Sequence, residues 1–175
     1  MSPGFRRSIV ADVSKRNSVQ RAFDAFGKAH FQEKRSGTWV RKINGVEQTF
    51  NLQRSQYSLS YYLNVQFDFT AAVPPEMVHD ESDLGVPFYI EGRAEGFLSE
   101  DDTSRLRNLL DIENYFLEEE HREHELLEFL EAKLQPVLSD LGSFDGIQAY
   151  HRADIFRAFL TTRSARRVLL ASAPE

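Results

Sequence analysis

The chain has 175 residues and a formal net charge of −6, and it contains no cysteine. This length is enough for one domain with a hydrophobic core and is short for two. A chain without cysteine can have no disulfide, no thiolate metal ligand and no cysteine nucleophile. We find no apolar run that is long enough for a signal peptide or a membrane span. We therefore expect a soluble, cytoplasmic protein of bacterial type.

The charges are unevenly distributed along the sequence. Residues 1–54 carry eleven Lys/Arg against four Asp/Glu, whereas residues 55–150 carry five against twenty-one, a net charge of −16. Such a segment suits a partner of opposite charge, or it can simply attract the basic segment within the fold. Nucleic-acid binding needs a basic surface with aromatic side chains, so the acidic balance argues against it.

The first elements in chain order are a basic arm over residues 1–16 and a short helix. Asn17 or Ser18 is a suitable N-cap, because its short side chain can accept a hydrogen bond from a free amide of the first turn. The apolar residues that follow at spacings of four and three are Val19, Phe23 and Phe26. This spacing places them on one face of a helix.

A β-hairpin is predicted over residues 38–50. Asn44-Gly45 tolerates the positive φ angles of a type I′ turn, whose twist matches that of the two flanking strands. A two-residue loop places Lys42 opposite Glu47, so that opposite charges meet across the strands.

The next strand has the clearest pattern in the sequence. From Leu59 to Phe69, apolar and polar side chains alternate, which predicts a strand with one buried and one solvated face. A short connection over residues 54–57 would place Phe50 opposite Tyr61, with the apolar faces of both strands on the same side. A sheet with one solvated face is usually antiparallel, with its helices on the other side.

The second half of the sequence is mainly helical. A weaker strand is predicted over residues 88–97, a long helix over 118–141 and a last helical region over 147–161. Leucines recur every four residues in the long helix, at Leu126, Leu130, Leu134 and Leu138. Pro136 lacks an amide hydrogen and is expected to kink this helix or to split it.

These elements predict an α+β fold. It consists of an N-terminal helix, an antiparallel meander of about three to five strands, and C-terminal helices packed on one face of the sheet. We place this single domain at residues 17–161, between the arm of residues 1–16 and a C-terminal tail over residues 162–175.

The run from Thr38 to Ser55, followed by the alternating aromatic strand, resembles a bacterial domain of unknown function, family 4304. An acidic helix with a proline near its end, as at Leu134-Gln135-Pro136, belongs to the same pattern. The resemblance covers residues 18–160 and implies a helix followed by a meander. Tyr115-Phe116 stands where the pattern has paired tryptophans. The family has no established activity, so the resemblance implies none for this chain.

The candidate binding surface is the polar face of the predicted sheet together with its adjoining loop. Its residues are Gln53, Ser55, Tyr57, Tyr62, Asn64 and Gln66. Amides and tyrosines suit recognition, because tyrosine offers a large contact area at a low cost in conformational entropy. The alternatives are an ordinary solvated strand surface or a face that the C-terminal tail covers.

One group of side chains in the acidic helix has metal-ligand character: His121, His124, Glu120 and Glu125. Residues four apart share a helix face, so one His/Glu pair could hold a divalent ion. Acidic residues also collect at helix starts because the free amides and the helix dipole favour negative charge there. The order is not His-Glu-x-x-His and no third ligand is evident, so we predict neither a metal nor a cofactor.

The sequence contains no Gly-x-Ser-x-Gly motif and no recognisable spacing of a histidine with a nucleophile. We therefore predict a non-enzymatic protein-binding module. It would be an acidic immunity-type inhibitor of a basic toxin or an accessory subunit of a bacterial complex. The alternative is a small metal-dependent enzyme that uses the His/Glu group. The oligomeric state stays open.

Overall fold

The structure is a computed structural model that describes residues 16–35, 37–78 and 86–171. Apart from Arg16, the predicted N-terminal arm lies outside these residues. Helix α1 (Ser18–His30) begins after Asn17, which is its N-cap. The Asn17 side chain accepts a hydrogen bond from the Gln20 amide at 3.0 Å, and the Gln20 side chain accepts one from the Asn17 amide at 3.1 Å. This reciprocal capping box fixes the start of the helix.

In the described part of the chain, six antiparallel strands lie side by side in chain order. They are β1 (Gln32–Arg35), β2 (Thr38–Ile43), β3 (Val46–Arg54), β4 (Tyr61–Asp68), β5 (Tyr89–Arg93) and β6 (Leu160–Thr161). Five of these strands have four or more residues, and β6 has two. The predicted α+β class, with an antiparallel meander and C-terminal helices, is confirmed.

The predicted hairpin is present as β2 and β3. Lys42 lies opposite Glu47, and Asn44 and Gly45 have φ angles of 48° and 83°, as a type I′ turn requires. A Cβ atom on Gly45 would lie 2.9 Å from the carbonyl oxygen of Ala71. The turn therefore needs glycine both for its backbone conformation and for this close approach.

The predicted register between β3 and β4 is wrong. Phe50 lies opposite Val65, four positions beyond the predicted partner Tyr61. The connection between the strands spans residues 55–60 rather than 54–57. Because the displacement is an even number of residues, the apolar side chains of both strands still share one face.

The apolar face of the sheet and the helices enclose one core. Fully buried members contributed by the sheet and by α1 include Phe23, Phe26, Phe50, Leu63 and Phe67. A Cβ atom on Gly27 would lie 2.3 Å from the indole ring of Trp39, so α1 lies directly against β2 at this point.

Two polar side chains also lie on the apolar face. Arg41 donates through Nε to Oε1 of Gln48 at 2.7 Å, and Gln48 donates through Nε2 to the carbonyl oxygen of Leu138 at 2.8 Å. Burial lowers the pKa of the Arg41 guanidinium, which lies 4.6 Å from the ring centroid of Phe31. These bonds connect the hairpin to the C-terminal helices.

The remaining elements complete the helical layer. The helices are α2 (Glu100–Leu110), α3 (Glu119–Phe129), α4 (Gln135–Asp140), α5 (Phe144–Arg152) and α6 (Arg163–Ala171). A π-helical turn, Leu130–Leu134, joins α3 to α4, and Pro136 lies in the first turn of α4. The predicted long helix is therefore split just before its proline.

Other predicted boundaries need correction. The predicted strand over 88–97 ends at Arg93, where a 3₁₀ turn (Ala94–Phe97) begins. The predicted helical region over 147–161 is wrong in its second half. There, Asp154 adopts a left-handed φ of 57° and ends the helix, and a second 3₁₀ turn (Ile155–Ala158) leads into β6.

Most of the predicted C-terminal tail is a helix that contributes to the core. Ala165, Val168 and Leu169 of α6 are buried in the same cluster as the sheet. In the ranges that the structure describes, none of the helices combines the length and the hydropathy of a membrane crossing.

Candidate functional site

The polar face of the sheet is formed by side chains that alternate with the core residues of β3, β4 and β5. Two transverse rows are Asn51, Asn64 and Arg93, and Thr49, Gln66 and Glu91. Arg93 is exposed and the other five are half-buried, whereas the β4 residues between them are buried. The predicted alternation of a buried and a solvated face is therefore present.

Hydrogen bonds order the amides on this face. Asn64 donates through Nδ2 to Oε1 of Gln53 at 2.8 Å, and Asn51 donates through Nδ2 to Oγ1 of Thr38 at 2.9 Å. In the ranges described, the Gln66 side chain has no hydrogen bond, so its amide is free to contact a ligand.

A cation–π contact fixes the exposed charge on this face. The guanidinium carbon of Arg93 lies 3.8 Å from the ring centroid of Tyr62. Stacking of this kind holds an arginine side chain over the ring while its N–H groups remain available to a partner.

An open groove of about 880 Å³ runs over the polar face. Thr103 and Arg107 of α2 line it together with Leu160 of β6, beside the strand residues. Its charged side chains are two carboxylates and two guanidiniums, so the groove has nearly balanced charge. These are Glu91, Glu95, Arg93 and Arg107. None of the histidines in the described ranges lines the groove. The threonine, asparagine and glutamine side chains that line it can form hydrogen bonds with a ligand.

The predicted binding residues divide between this face and the adjoining loop. Gln53, Tyr62, Asn64 and Gln66 share the polar face. Ser55 and Tyr57 lie in the β3–β4 connection, where the Tyr57 amide donates to Oγ of Ser55 at 3.2 Å. Tyr57 is 92% exposed.

Two exposed aromatic residues, Tyr115 and Phe116, were not among the predicted binding residues. Together with the predicted Tyr57 we call them the aromatic tip. Tyr115 and Phe116 are 86% and 101% exposed and lie in the α2–α3 connection. The two connections meet in an isolated antiparallel bridge between Ser60 and Asp111. In the sequence, this surface could have been recognised from the adjacent pair Tyr115-Phe116, which fits no helical or strand periodicity.

Arg122 organises the connection that carries Tyr115 and Phe116. Its side chain is 1% exposed. The guanidinium donates to the carbonyl oxygens of Asn114 at 2.7 Å and Leu117 at 3.2 Å, and also to that of Asp111. A planar guanidinium presents several donors in fixed directions, so one buried side chain can hold a whole loop.

The His/Glu group of α3 forms side-chain contacts between residues four apart along the helix. His121 Nε2 lies 2.6 Å from Oε1 of Glu125, and His124 Nε2 lies 3.3 Å from Oε1 of Glu128. Arg105 Nη2 lies 3.8 Å from Oε2 of Glu125, so this carboxylate already has a cationic neighbour.

The group does not converge on one point. His124 lines a shallow groove of about 650 Å³ together with the cationic side chains Arg105 and Lys133. Glu120, the fourth predicted ligand, is exposed at the start of α3. Across the described ranges, no three His, Cys, Asp or Glu side chains are placed to hold a metal ion. The metal-dependent enzyme remains a prediction from the sequence.

No protein-family model, curated protein or solved structure matches the chain.

Proposed function

We propose that this protein is a non-enzymatic binding module of the bacterial cytoplasm that docks a protein partner on the polar face of its sheet. The observation that carries the proposal is the open groove of about 880 Å³ over ordered amides. Non-obligate protein interfaces are about as polar as the rest of a protein surface, so a polar face of this kind is compatible with docking.

The distribution of charge supports different roles for the groove and for the acidic starts of the helices. The groove has balanced charges, and we expect the partner to be nearly neutral where it contacts the sheet. Exposed acidic residues lie instead at the starts of α2 and α3, among them Glu100, Asp101, Glu118 and Glu120. An immunity-type inhibitor or an accessory subunit would use these acids to steer a basic partner and the sheet to recognise it. The same acids would repel nucleic acid.

Site-specific photo-crosslinking tests the proposal. A photoreactive residue replaces Gln66 in the groove, and the matched control replaces Leu170, which is 60% exposed on α6. In cells of the source organism, we expect one protein to crosslink from position 66 and not from position 170. Asn64→Arg should then weaken binding of the purified partner by about tenfold or more, because a bulky charge blocks the groove.

Two results would contradict this function. One is that no protein crosslinks from the groove. The other is stoichiometric zinc or manganese in the purified protein, which would favour the metal-dependent enzyme.

A further inference from the structure

The aromatic tip lies on a surface separate from the groove, and its exposure needs an explanation. Three aromatic side chains, each at least 86% exposed, project from two connected loops. Exposed aromatic side chains on joined loops suit an interaction site, because aromatic residues supply much of the binding energy at protein interfaces.

The loops beneath the tip are ordered before any partner binds. The Ile112 amide donates to the carbonyl oxygen of Leu59 at 3.1 Å, which joins the two connections. The Glu113 amide donates to Oδ1 of Asp111 at 3.0 Å, and buried Arg122 binds the loop carbonyls. A preorganised loop loses little conformational entropy on binding, which favours affinity.

The charges around the tip indicate the chemistry of the occupant. Glu113, Glu118 and Glu120 are exposed, and within the described ranges their carboxylates have no cationic partner. Arg54, at the end of β3, is an exposed cation near the base of the Tyr57 loop. The tip therefore combines exposed rings with a net acidic rim.

We propose that the aromatic tip binds a basic, apolar segment of a protein partner. Lysine or arginine side chains of that segment would stack on the rings of Tyr115 and Phe116 and pair with the acidic rim, while its aliphatic side chains cover Tyr57. This inference goes beyond the proposed function, because it concerns a second surface and does not depend on the groove.

The acidic rim favours a basic protein segment over three other occupants: a second copy of the chain, an anionic lipid surface and nucleic acid. Two copies of the tip facing each other would bring like charges together. An anionic lipid surface and nucleic acid would be repelled for the same reason. A basic protein segment gains from both the rings and the acids.

The test uses the full chain and a fluorescent synthetic peptide of alternating lysine and leucine. We expect Tyr115→Ser with Phe116→Ser to weaken its binding by about tenfold or more, and Glu118→Gln with Glu120→Gln to weaken it to a similar extent. Matched controls on other surfaces are Leu170→Ser for the aromatic change and Glu76→Gln with Asp145→Asn, two exposed acids on other elements, for the acidic change. We expect these controls to bind like the wild type.

Several outcomes would overturn the inference. One is that the tip variants bind the lysine–leucine peptide as tightly as the wild type does. A second is that the wild type binds a glutamate–leucine peptide equally well. The others are capture by phosphatidylglycerol vesicles through the tip, and self-association that the tip variants abolish. Crosslinking at Gln66 reports on the groove alone. The proposal for the groove and the proposal for the aromatic tip can therefore be refuted independently of each other.

Discussion

Replacing Arg122 with methionine removes the side chain that organises the α2–α3 connection. The guanidinium donors would be lost, and the carbonyl oxygens of Asn114 and Leu117 would have to bind water or remain unsatisfied. A hydrogen bond to a charged group contributes about 1.5–3 kcal/mol, so these two bonds contribute about 3–6 kcal/mol. Relief of the cost of burying the charge offsets part of this loss.

We therefore expect Arg122→Met to lower the free energy of unfolding by about 3 kcal/mol. For a chain of this length, this corresponds to a fall in Tm of about 6–12 °C. Urea denaturation followed by circular dichroism measures the loss, and hydrogen exchange reports on the amides of residues 111–117. The variant should also weaken peptide binding at the aromatic tip, because the loop that presents Tyr115 and Phe116 would no longer be preorganised.

The matched control is Arg105→Met. The Arg105 side chain is 51% exposed, makes a long ion pair with Glu125 and lies 5.8 Å from the ring centroid of Phe129. Such a pair contributes at most about 1 kcal/mol, so the control should unfold nearly as the wild type does. A loss below about 1 kcal/mol in Arg122→Met, or unchanged exchange in the 111–117 loop, would refute the role given to Arg122.

Three further changes test the fold. Gly27→Ala should destabilise the protein by about 1–3 kcal/mol in urea because of its clash with Trp39, although the same change at an exposed helical position stabilises by about 1 kcal/mol. Asn17→Ala should lower the free energy of unfolding by about 1 kcal/mol, because the N-cap is lost. A change of less than about 0.3 kcal/mol would contradict the capping geometry. The hydrogen bond from Lys133 lowers the pKa of Asp102, so Lys133→Met should raise it in a carboxyl NMR titration. Because a depressed pKa stabilises the folded state only while the carboxylate is ionised, the stability difference between wild type and Lys133→Met should disappear as the pH falls below the ordinary Asp value of 3.8.

Local chemistry explains which parts of the fold were predictable. The Asn44-Gly45 turn and the Asn17 cap depend on residues within a few positions. The turn was predicted correctly, and Asn17 is one of the two residues predicted as the N-cap. The register of β3 with β4 depends on the length of the 55–60 connection, which has no glycine or proline to mark its turn. The prediction therefore placed the apolar side chains of β3 and β4 on the correct face of the sheet but paired them with the wrong residues across the strands.

The parts that were missed depend on tertiary contacts. Arg122 resembles its charged neighbours in α3 in the sequence, and its burial follows from the tertiary fold, in which it binds carbonyl oxygens of the α2–α3 connection. Sequence periodicity cannot tell an exposed Tyr115-Phe116 pair from a buried one. The polar strand residues were predictable, whereas the walls that α2 and β6 add to the groove were not.

The π-helical turn also accounts for the spacing of the leucines. In a regular α-helix each residue advances about 100°, so residues four apart drift by about 40° per repeat, or about 120° from Leu126 to Leu138. One extra residue in a π turn removes about 100° of this drift. Leu126, Leu130, Leu134 and Leu138 can then all face the core, and each is at most 1% exposed. Deletion of one residue within Leu130–Leu134 would restore regular winding and still keep Leu138 on the core side, because eleven residues at about 100° each differ from three full turns by only about 20°.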